Sequence, residues 1–417
     1  LVVAPDGAAA DAVALGASAV VLLGARGARA LTRAGYRTRR FLPTPAIASP
    51  SVLVPLDRPR VARYALGTVS RPDALAKALR NHAIVAAGAL GLPVPRSIVI
   101  GTRSAAPPFL VREAQALGLP EPLDWLVVFG RAIERSSFLL FEPGASRPSW
   151  VVKFSFAHRD PERFLGDERG LRVVAEVGPP LTDHTPSGVG VSLTGERPIS
   201  VEAAASGTPL MSWLRAPGSR ARKEQVVGRV ARWLIDVHTA SAVPGRAAEA
   251  FAALAFPEGI LDEVGADVGA LTEGLGGLPA VAEHGDLDCT HVLVDGDGFT
   301  VIDWEGMRRH GLPLVDLAFL LGQALPLLDG ELDDPRYADG EAFARVFRGE
   351  SPSAPLLFGW LREACDAAGI PHEAAGRLLS LGWLQLAEGP RRPLALRWFS
   401  DPLLGPGWEA WRRAPGG

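Results

Sequence analysis

Short apolar runs alternate with helical spacing over the first 110 residues. Residues 19–24 (AVVLLG) have the pattern of a buried strand, 25–36 that of a helix, and 37–42 that of a second strand. The stretch 42–60 is so rich in proline that we predict no regular structure there, and a helical run follows at 72–91. A β-α-β piece this short cannot bury both faces of its sheet, so we expect it to dock on a neighbour or to form a homodimer.

An antiparallel sheet with one helix is predicted for residues 111–205. Five strand candidates lie in this region, at 124–131, 136–144, 149–156, 188–195 and 197–207. A charged helix is predicted at 160–178. From Pro209 onward the apolar spacing is mostly helical, except for a pair of strands within 283–306. We therefore predict an α+β fold of two lobes: a small β-rich lobe at 111–205 and a larger helical lobe at 206–417, preceded by an α/β extension at 1–110.

Composition indicates a globular protein of the cytoplasm. Hydrophobic residues make up 47% of the 417 residues, and charged residues 21%. The net charge of −3 gives no sign of a nucleic-acid partner. The apolar run at 14–25 is shorter than the roughly 20 residues that a membrane span needs, so we expect no membrane association. Two distant cysteines, Cys289 and Cys365, fit a reducing compartment better than a disulfide framework.

The stretch 283–306 (EHGDLDCTHVLVDGDGFTVIDWEG) contains the clearest candidate chemistry. Two apolar strand-like runs are joined by a tight Asp-Gly-Asp-Gly turn, and Asp286 and Asp303 flank them. Pairing of the two runs would bring both carboxylates to one edge. One carboxylate that attracts the proton of a hydroxyl and a second that holds Mg²⁺ on nucleotide phosphates are the minimum for phosphoryl transfer.

The segments 284–294 (HGDLDCTHVLV), 301–306 (VIDWEG) and 311–318 (GLPLVDLA) resemble the aminoglycoside phosphotransferase and choline kinase-like family. This resemblance implies a two-lobed protein-kinase-like fold and transfer of a phosphoryl group from ATP, or from GTP as in some relatives, with Mg²⁺. The resemblance spans about residues 111–400 of the chain.

Several residue roles follow from the resemblance. In the helical lobe, Asp286 would be the catalytic base, Asp303 the principal magnesium ligand and Asp316 a structural acid. We also count His284 among the catalytic residues, and we expect it to support the catalytic loop.

The resemblance also assigns the small lobe. Lys153, the only lysine at 111–205, would contact the nucleotide phosphates. Its partner on the following helix would be Glu168, with Glu162 as the alternative. The turn 130–137 takes the place of the loop that covers the nucleotide, although it has only one glycine.

The strand that follows would lead into the adenine site. The backbone of Glu202, Ala203 and Ala205 is expected to hydrogen-bond the base.

His291 departs from the family pattern, which has Asn at this position. We predict that it contributes to the second metal position, where an imidazole nitrogen suits transition metals better than Mg²⁺. For Asp288 we expect a solvated loop acid, and for Cys289 a small packing residue.

The sequence therefore predicts an ATP-dependent phosphotransferase that acts on a hydroxyl of a small molecule. An antibiotic, a sugar, an amino alcohol and a natural-product intermediate are all candidate acceptors. The alternatives are a kinase for Ser or Thr of a natural-product precursor peptide and a pseudokinase that binds nucleotide as a scaffold. Residues 27–41 also resemble, faintly, the tail of a class I methyltransferase domain, but no glycine-rich cofactor loop precedes them.

Overall fold

A computed structural model describes most of the chain, in two compact units. The first unit comprises residues 1–168 and 187–204, and the second comprises 169–186 and 205–417. The described residues are 2–5, 18–24, 27–46, 50–69, 75–103, 109–121, 123–129, 135–155, 161–193, 198–331 and 340–408. The first unit is built on a sheet and the second is mainly helical, so the predicted α+β class is confirmed.

A ten-stranded sheet forms the first unit, with the spatial order β1-β2-β5-β3-β4-β6-β7-β8-β10-β9. Its strands are β1 (Val2–Pro5), β2 (Ala19–Leu23), β3 (Arg37–Pro45), β4 (Pro50–Pro55), β5 (Ile98–Thr102), β6 (Asp124–Phe129), β7 (Arg135–Phe141), β8 (Trp150–Ser155), β9 (Gly188–Ser192) and β10 (Ile199–Ala203). The β1–β2 pair is parallel, and the other pairs are antiparallel.

The proline-rich stretch 42–60 is more regular than predicted. It contains the end of β3 and all of β4, and these strands pair with Leu42 opposite Val54 and Pro43 opposite Leu53. Strand β5 pairs with β3 only up to Phe41, so Pro43 needs no ladder hydrogen bond on that side. Proline is tolerated where a strand has only one neighbour, and the prediction of irregular structure was wrong.

Strands from both sides of residue 110 belong to this one sheet. Val52 and Leu53 of β4 pair with Val128 and Val127 of β6. The N-terminal segment thus docks on a neighbouring part of its own chain, and its strand edge is covered by β6. A homodimer through this segment stays a prediction.

The helices of the first unit are α1 (Ala28–Arg33), α2 (Pro59–Tyr64), α3 (Leu75–Ala89) and α4 (Phe109–Ala116). Val54, Leu56, Val61 and Leu126 form part of a core beneath α2 and α3. Gly35 follows α1 with φ of +84°, the left-handed conformation that ends many helices and that glycine adopts without strain.

The second unit is built around long apolar helices. Helix α5 (Pro161–Val177) enters it at residue 169. The others are α6 (Leu210–Arg215), α7 (Arg220–Ser241), α8 (Ala247–Ala252), α9 (Ile260–Val264), α10 (Val268–Thr272), α11 (Val315–Asp329), α12 (Glu341–Phe347), α13 (Ala354–Ala368), α14 (Ala375–Gln385) and α15 (Arg392–Ser400). From Val315 to Leu328 every residue of α11 is buried, so α11 is the centre of this core. No described helix is long and apolar enough to cross a bilayer.

Two small sheets in the second unit carry the candidate site. One contains β11 (Thr208–Pro209), β13 (Val292–Asp295) and β14 (Gly298–Val301), and β12 (Val281–Glu283) pairs with β15 (Arg308–Gly311) in the other. The predicted hairpin is present as β13 and β14, with Val292 opposite Val301. The residues that precede and follow the hairpin form the candidate site.

Candidate functional site

His284 is held in the loop after β12 by contacts with the backbone. Its Nε2 lies 3.0 Å from the carbonyl oxygen of Ile302, and its Nδ1 lies 3.3 Å from the backbone nitrogen of Asp286. A carbonyl only accepts and an N–H only donates, so the proton is on Nε2 and Nδ1 accepts. Burial lowers the pKa of His284 to about 4, which keeps the ring neutral. With both ring nitrogens engaged, His284 supports the loop.

Asp316, the second residue of α11, accepts two backbone hydrogen bonds from the same loop. The nitrogens of His284 and Gly285 lie 2.5 and 3.1 Å from its two carboxylate oxygens. Burial, and then the nearby Glu283 carboxylate, raise the pKa of Asp316. Asp316 thereby anchors the loop to the central helix.

Gly285 and Gly306 allow the two parts of the site to approach closely. Gly285 has φ of +79°, and a Cβ atom there would lie 2.6 Å from the carbonyl oxygen of Gly306. A Cβ on Gly306 would lie 2.9 Å from the carbonyl oxygen of His284. Any larger residue would separate the Asp286 loop from the Asp303 turn.

Asp303 lies directly after the hairpin and has φ of +70°, ψ of 57°. Aspartate tolerates this left-handed conformation better than most residues. The 3₁₀ turn Trp304–Gly306 follows. Helix α5 lies so close to this turn that a Cβ on Gly170 would collide with the carbonyl oxygen of Trp304. The position of the Asp303 carboxylate is thus fixed by backbone geometry and by packing.

His291 links the Asp286 loop to Asp303. Its Nδ1 donates to the carbonyl oxygen of Asp286 at 2.7 Å, and its Nε2 faces Asp303 Oδ2 at 3.6 Å. Burial lowers the pKa of His291, but the carboxylates of Asp288, Asp303 and Asp286 outweigh it and raise that pKa overall. His291 therefore lies between Asp286, the predicted base, and Asp303, the predicted magnesium ligand.

Asp288 is buried, with 5% exposed surface, so the expectation of a solvated loop acid was wrong. Its Oδ1 accepts from the backbone nitrogen of Thr290 at 2.6 Å and from the Thr290 hydroxyl. Despite burial, the nearby His291 and these Thr290 hydrogen bonds lower the pKa of Asp288. Cys289 is fully buried, and burial raises the pKa of its thiol, as befits a packing residue.

Asp286 forms an ion pair that the sequence did not indicate. Its Oδ1 contacts Nη2 of Arg391, which lies in the 3₁₀ turn Gly389–Arg391 just before α15. The same Nη2 lies 3.6 Å from Asp288 Oδ2. Burial raises the pKa of Asp286, and Arg391 is the largest opposing influence. Arg391 is 105 residues from Asp286, and no local motif marks it.

In the first unit, Lys153 on β8 lies between two carboxylates. Its Nζ is 3.3 Å from Asp167 Oδ1 and 3.4 Å from Glu202 Oε1. The Ser200 hydroxyl donates to Asp167 Oδ2 at 3.1 Å. Asp167 is thus a helix partner of Lys153 that the sequence did not indicate, one residue before Glu168, and the pairing with Glu168 stays a prediction. Sequence spacing cannot resolve a helix register this finely.

Other predictions for the first unit are only partly within the described structure. The side chain of Glu162 and residues 130–134 of the nucleotide-covering turn lie outside the described residues.

Hydrogen bonds within the fold limit which backbone atoms of residues 202–205 could bind an adenine base. The backbone nitrogen of Ala203 already donates to Ser187 at 2.8 Å, and that of Ala204 donates to Ser149 at 2.9 Å. The Glu202 side chain faces Lys153. A base at this position would therefore have to use backbone carbonyls or the nitrogen of Ala205, because the Ala203 donor is engaged.

The donor atoms of the second unit fit a divalent cation. His291 Nε2 and Asp303 Oδ2 are 3.6 Å apart, so both can lie about 2.1 Å from one ion. A histidine that ligates a metal usually donates its other ring N–H to a carbonyl or carboxylate, as Nδ1 does here. Asp286, Asp288 and His291 also have ligand atoms within 4.8 Å of one another. A mixed nitrogen and oxygen set accepts Mn²⁺ or Zn²⁺ as well as Mg²⁺.

Comparison with known proteins finds similarity at the level of structure. No family model and no curated protein sequence matches the chain. The chain is similar to a proposed aminoglycoside phosphotransferase from Ralstonia eutropha JMP134, with 16% identity, a TM-score of 0.43, and coverage of 71% of this chain and 94% of that one. It is also similar to aminoglycoside-3'-phosphotransferase of type VIII, with 20% identity, a TM-score of 0.40, and coverage of 66% and 100%.

Proposed function

We propose that this protein is an ATP-dependent phosphotransferase that phosphorylates a hydroxyl group of a small molecule. The observation that carries the proposal is the braced loop 284–291. The loop carries the Asp286 carboxylate, and its last residue, His291, lies next to the Asp303 carboxylate that follows the hairpin. A base and a metal-holding carboxylate in one rigid arrangement are the parts that phosphoryl transfer needs.

Asp286 acts as the base in this proposal. The proton of the acceptor hydroxyl passes to the Asp286 carboxylate as the new oxygen–phosphorus bond forms. The bond between the γ-phosphorus and the bridging oxygen breaks, and ADP leaves. Asp303 and His291 would hold a divalent cation, which neutralises charge on the phosphates when it is bound.

Lys153 would hold the nucleotide phosphates. Its ammonium group is fixed by Asp167 and Glu202, so little side-chain entropy is lost when a phosphate binds. GTP in place of ATP is compatible with this arrangement, because the lysine contacts phosphates only.

The first test is a screen of hydroxyl-bearing compounds for ADP formation, with Asp286→Asn as the matched inactive variant. Sugars, amino alcohols, aminoglycosides and Ser- or Thr-containing peptides form the panel, so the alternative peptide acceptor is included. We expect acceptor-dependent ADP formation that Asp286→Asn lowers by about 10³-fold or more.

The same experiment distinguishes a phosphotransferase from the alternative function, a scaffold that binds nucleotide without turnover. Binding of ATP, measured by calorimetry, with no transfer to any acceptor or to water would favour the scaffold. Full transfer by Asp286→Asn would show that the base is assigned to the wrong residue.

A further inference from the structure

Arg391 is the one cation paired with Asp286 among the described residues, and it approaches from a distant part of the chain. It lies in the turn between α14 and α15, and its guanidinium group contacts Asp286 Oδ1. The side chain is only 26% exposed. Neither the hairpin nor the loop 284–291 includes this residue, so its role is separate from the parts described above.

The ion pair makes the two oxygens of Asp286 unequal. Oδ1, which faces Arg391, is buried from solvent, whereas the side chain as a whole is 30% exposed. The exposed surface of the side chain therefore lies on atoms other than Oδ1. A carboxylate held by one oxygen has a restricted rotation about χ2, and Oδ2 is the oxygen that Arg391 leaves for another partner.

Arg391 is itself held by contacts on several sides. Its Nη2 lies 3.6 Å from Asp288 Oδ2, and its guanidinium carbon lies 5.0 Å from the centre of the Phe319 ring on α11. Asp288 is fixed in turn by the hydrogen bonds from Thr290. A chain of contacts thus runs from Thr290 through Asp288 and Arg391 to Asp286, and it accounts for the burial of Asp288.

We propose that Arg391 is a positioning residue for the base of the proposed phosphotransferase. It holds Asp286 by Oδ1 and directs Oδ2 to the hydroxyl of the acceptor. This inference rests on the proposed function, since it concerns the same carboxylate. It adds a component from the C-terminal helices that acts through Asp286 and does not touch the nucleotide.

The test compares Arg391→Met with Arg392→Met. Both variants lose one arginine from adjacent positions, but Arg392 pairs with Glu263 and not with the site. The measured quantity is ADP formation from ATP, first with water as the acceptor and then with any active compound from the screen. We expect Arg391→Met to lower kcat by about 10²-fold with an unchanged Kd for ATP and an unchanged KM for ATP. Arg392→Met should match the unmodified protein.

Two further variants separate positioning from a general loss of structure. Arg391→Lys keeps the charge with a shorter reach and should recover about tenfold of the lost kcat. The double variant Asp286→Asn with Arg391→Met should be no slower than Asp286→Asn alone, because Arg391 acts through Asp286. Thermal unfolding of each variant shows whether it is folded.

The outcomes distinguish the inference from the proposed function. If the unmodified protein forms ADP and Asp286→Asn does not, the proposed function holds. In that case, full kcat in Arg391→Met would overturn the role of Arg391. A loss of kcat in the double variant that equals the product of the two single losses would overturn it as well. If the unmodified protein transfers phosphate to no acceptor and does not hydrolyse ATP, the proposed function fails and the role of Arg391 fails with it.

Discussion

His238 on α7 provides a quantitative test of the helical unit. The side chain is 1% exposed, and neither ring nitrogen has a hydrogen-bond partner among the residues that the structure describes. Burial lowers the pKa of His238 from 6.5 to about 4. The folded protein thus holds this ring neutral at pH values where the unfolded chain protonates it.

The size of the effect follows from linkage. Each pH unit between the folded and unfolded pKa values corresponds to about 1.4 kcal/mol, so the interval from 6.5 to 4 is worth about 3 kcal/mol. The unfolded state binds the proton first as the pH falls. His238 therefore carries no protonation penalty above pH 6.5, and the free energy of unfolding decreases progressively as the pH falls from 6.5 to 4.

His238→Leu removes this term and keeps a buried apolar side chain of similar size. Above pH 6.5 we expect the variant to be as stable as the unmodified protein, or more stable by about 1 kcal/mol, since two unpaired polar atoms are lost. Urea unfolding should show that, as the pH falls from 6.5 to 4, the free energy of unfolding of the variant rises relative to that of the unmodified protein by about 3 kcal/mol. His82→Leu, at an exposed histidine of the first unit, is the control. A difference that stays constant with pH would refute the assignment of His238 as a buried neutral ring.

Three further substitutions test residues that the proposed function uses. Lys153→Met removes the ammonium group that lies between the buried carboxylates of Asp167 and Glu202. We expect unfolding of the first unit to become easier by about 3 kcal/mol and ATP affinity to fall at least tenfold, whereas Lys223→Met on α7 should do neither. His291→Asn should reduce the affinity for Mn²⁺, measured by calorimetry, by about tenfold, while turnover supported by Mg²⁺ rises. A complete loss of activity would instead assign His291 a role of its own. Gly285→Ala and Gly296→Ala both place alanine at positive φ, at a cost of about 1–2 kcal/mol, but only the former meets a carbonyl oxygen at 2.6 Å. Thermal unfolding and ADP formation should both be impaired more by Gly285→Ala, and equal effects would show that the close approach is unimportant.

Local sequence patterns predicted the elements well where one strong signal dominated. The alternation of apolar residues around the Asp-Gly turn indicated the hairpin, and its register follows from that turn. The three strands in quick succession before the charged helix are likewise present as β6, β7 and β8. In these cases neighbouring residues decide the structure, so the sequence is sufficient.

The missed features depend on contacts between distant residues. The proline-rich stretch 42–60 forms strands because pairing with β6 and β3 outweighs local preference. The contact of Lys153 with Asp167 depends on the rotation of a helix, which a one-residue error in register changes. Arg391 reaches Asp286 across 105 residues. Asp288 is buried because that arginine and Thr290 satisfy its carboxylate. None of these contacts has a signature in the local sequence.

The shared ten-stranded sheet limits how this chain can be divided or recombined. A fragment that starts after residue 110 would lack β4, and the strand Asp124–Phe129, with the sequence DWLVVF, would then offer an open apolar edge to other molecules. Such an edge promotes intermolecular pairing and aggregation. Expression fragments, domain fusions and chimeras should therefore keep the N-terminal strands together with the rest of the sheet that contains Lys153.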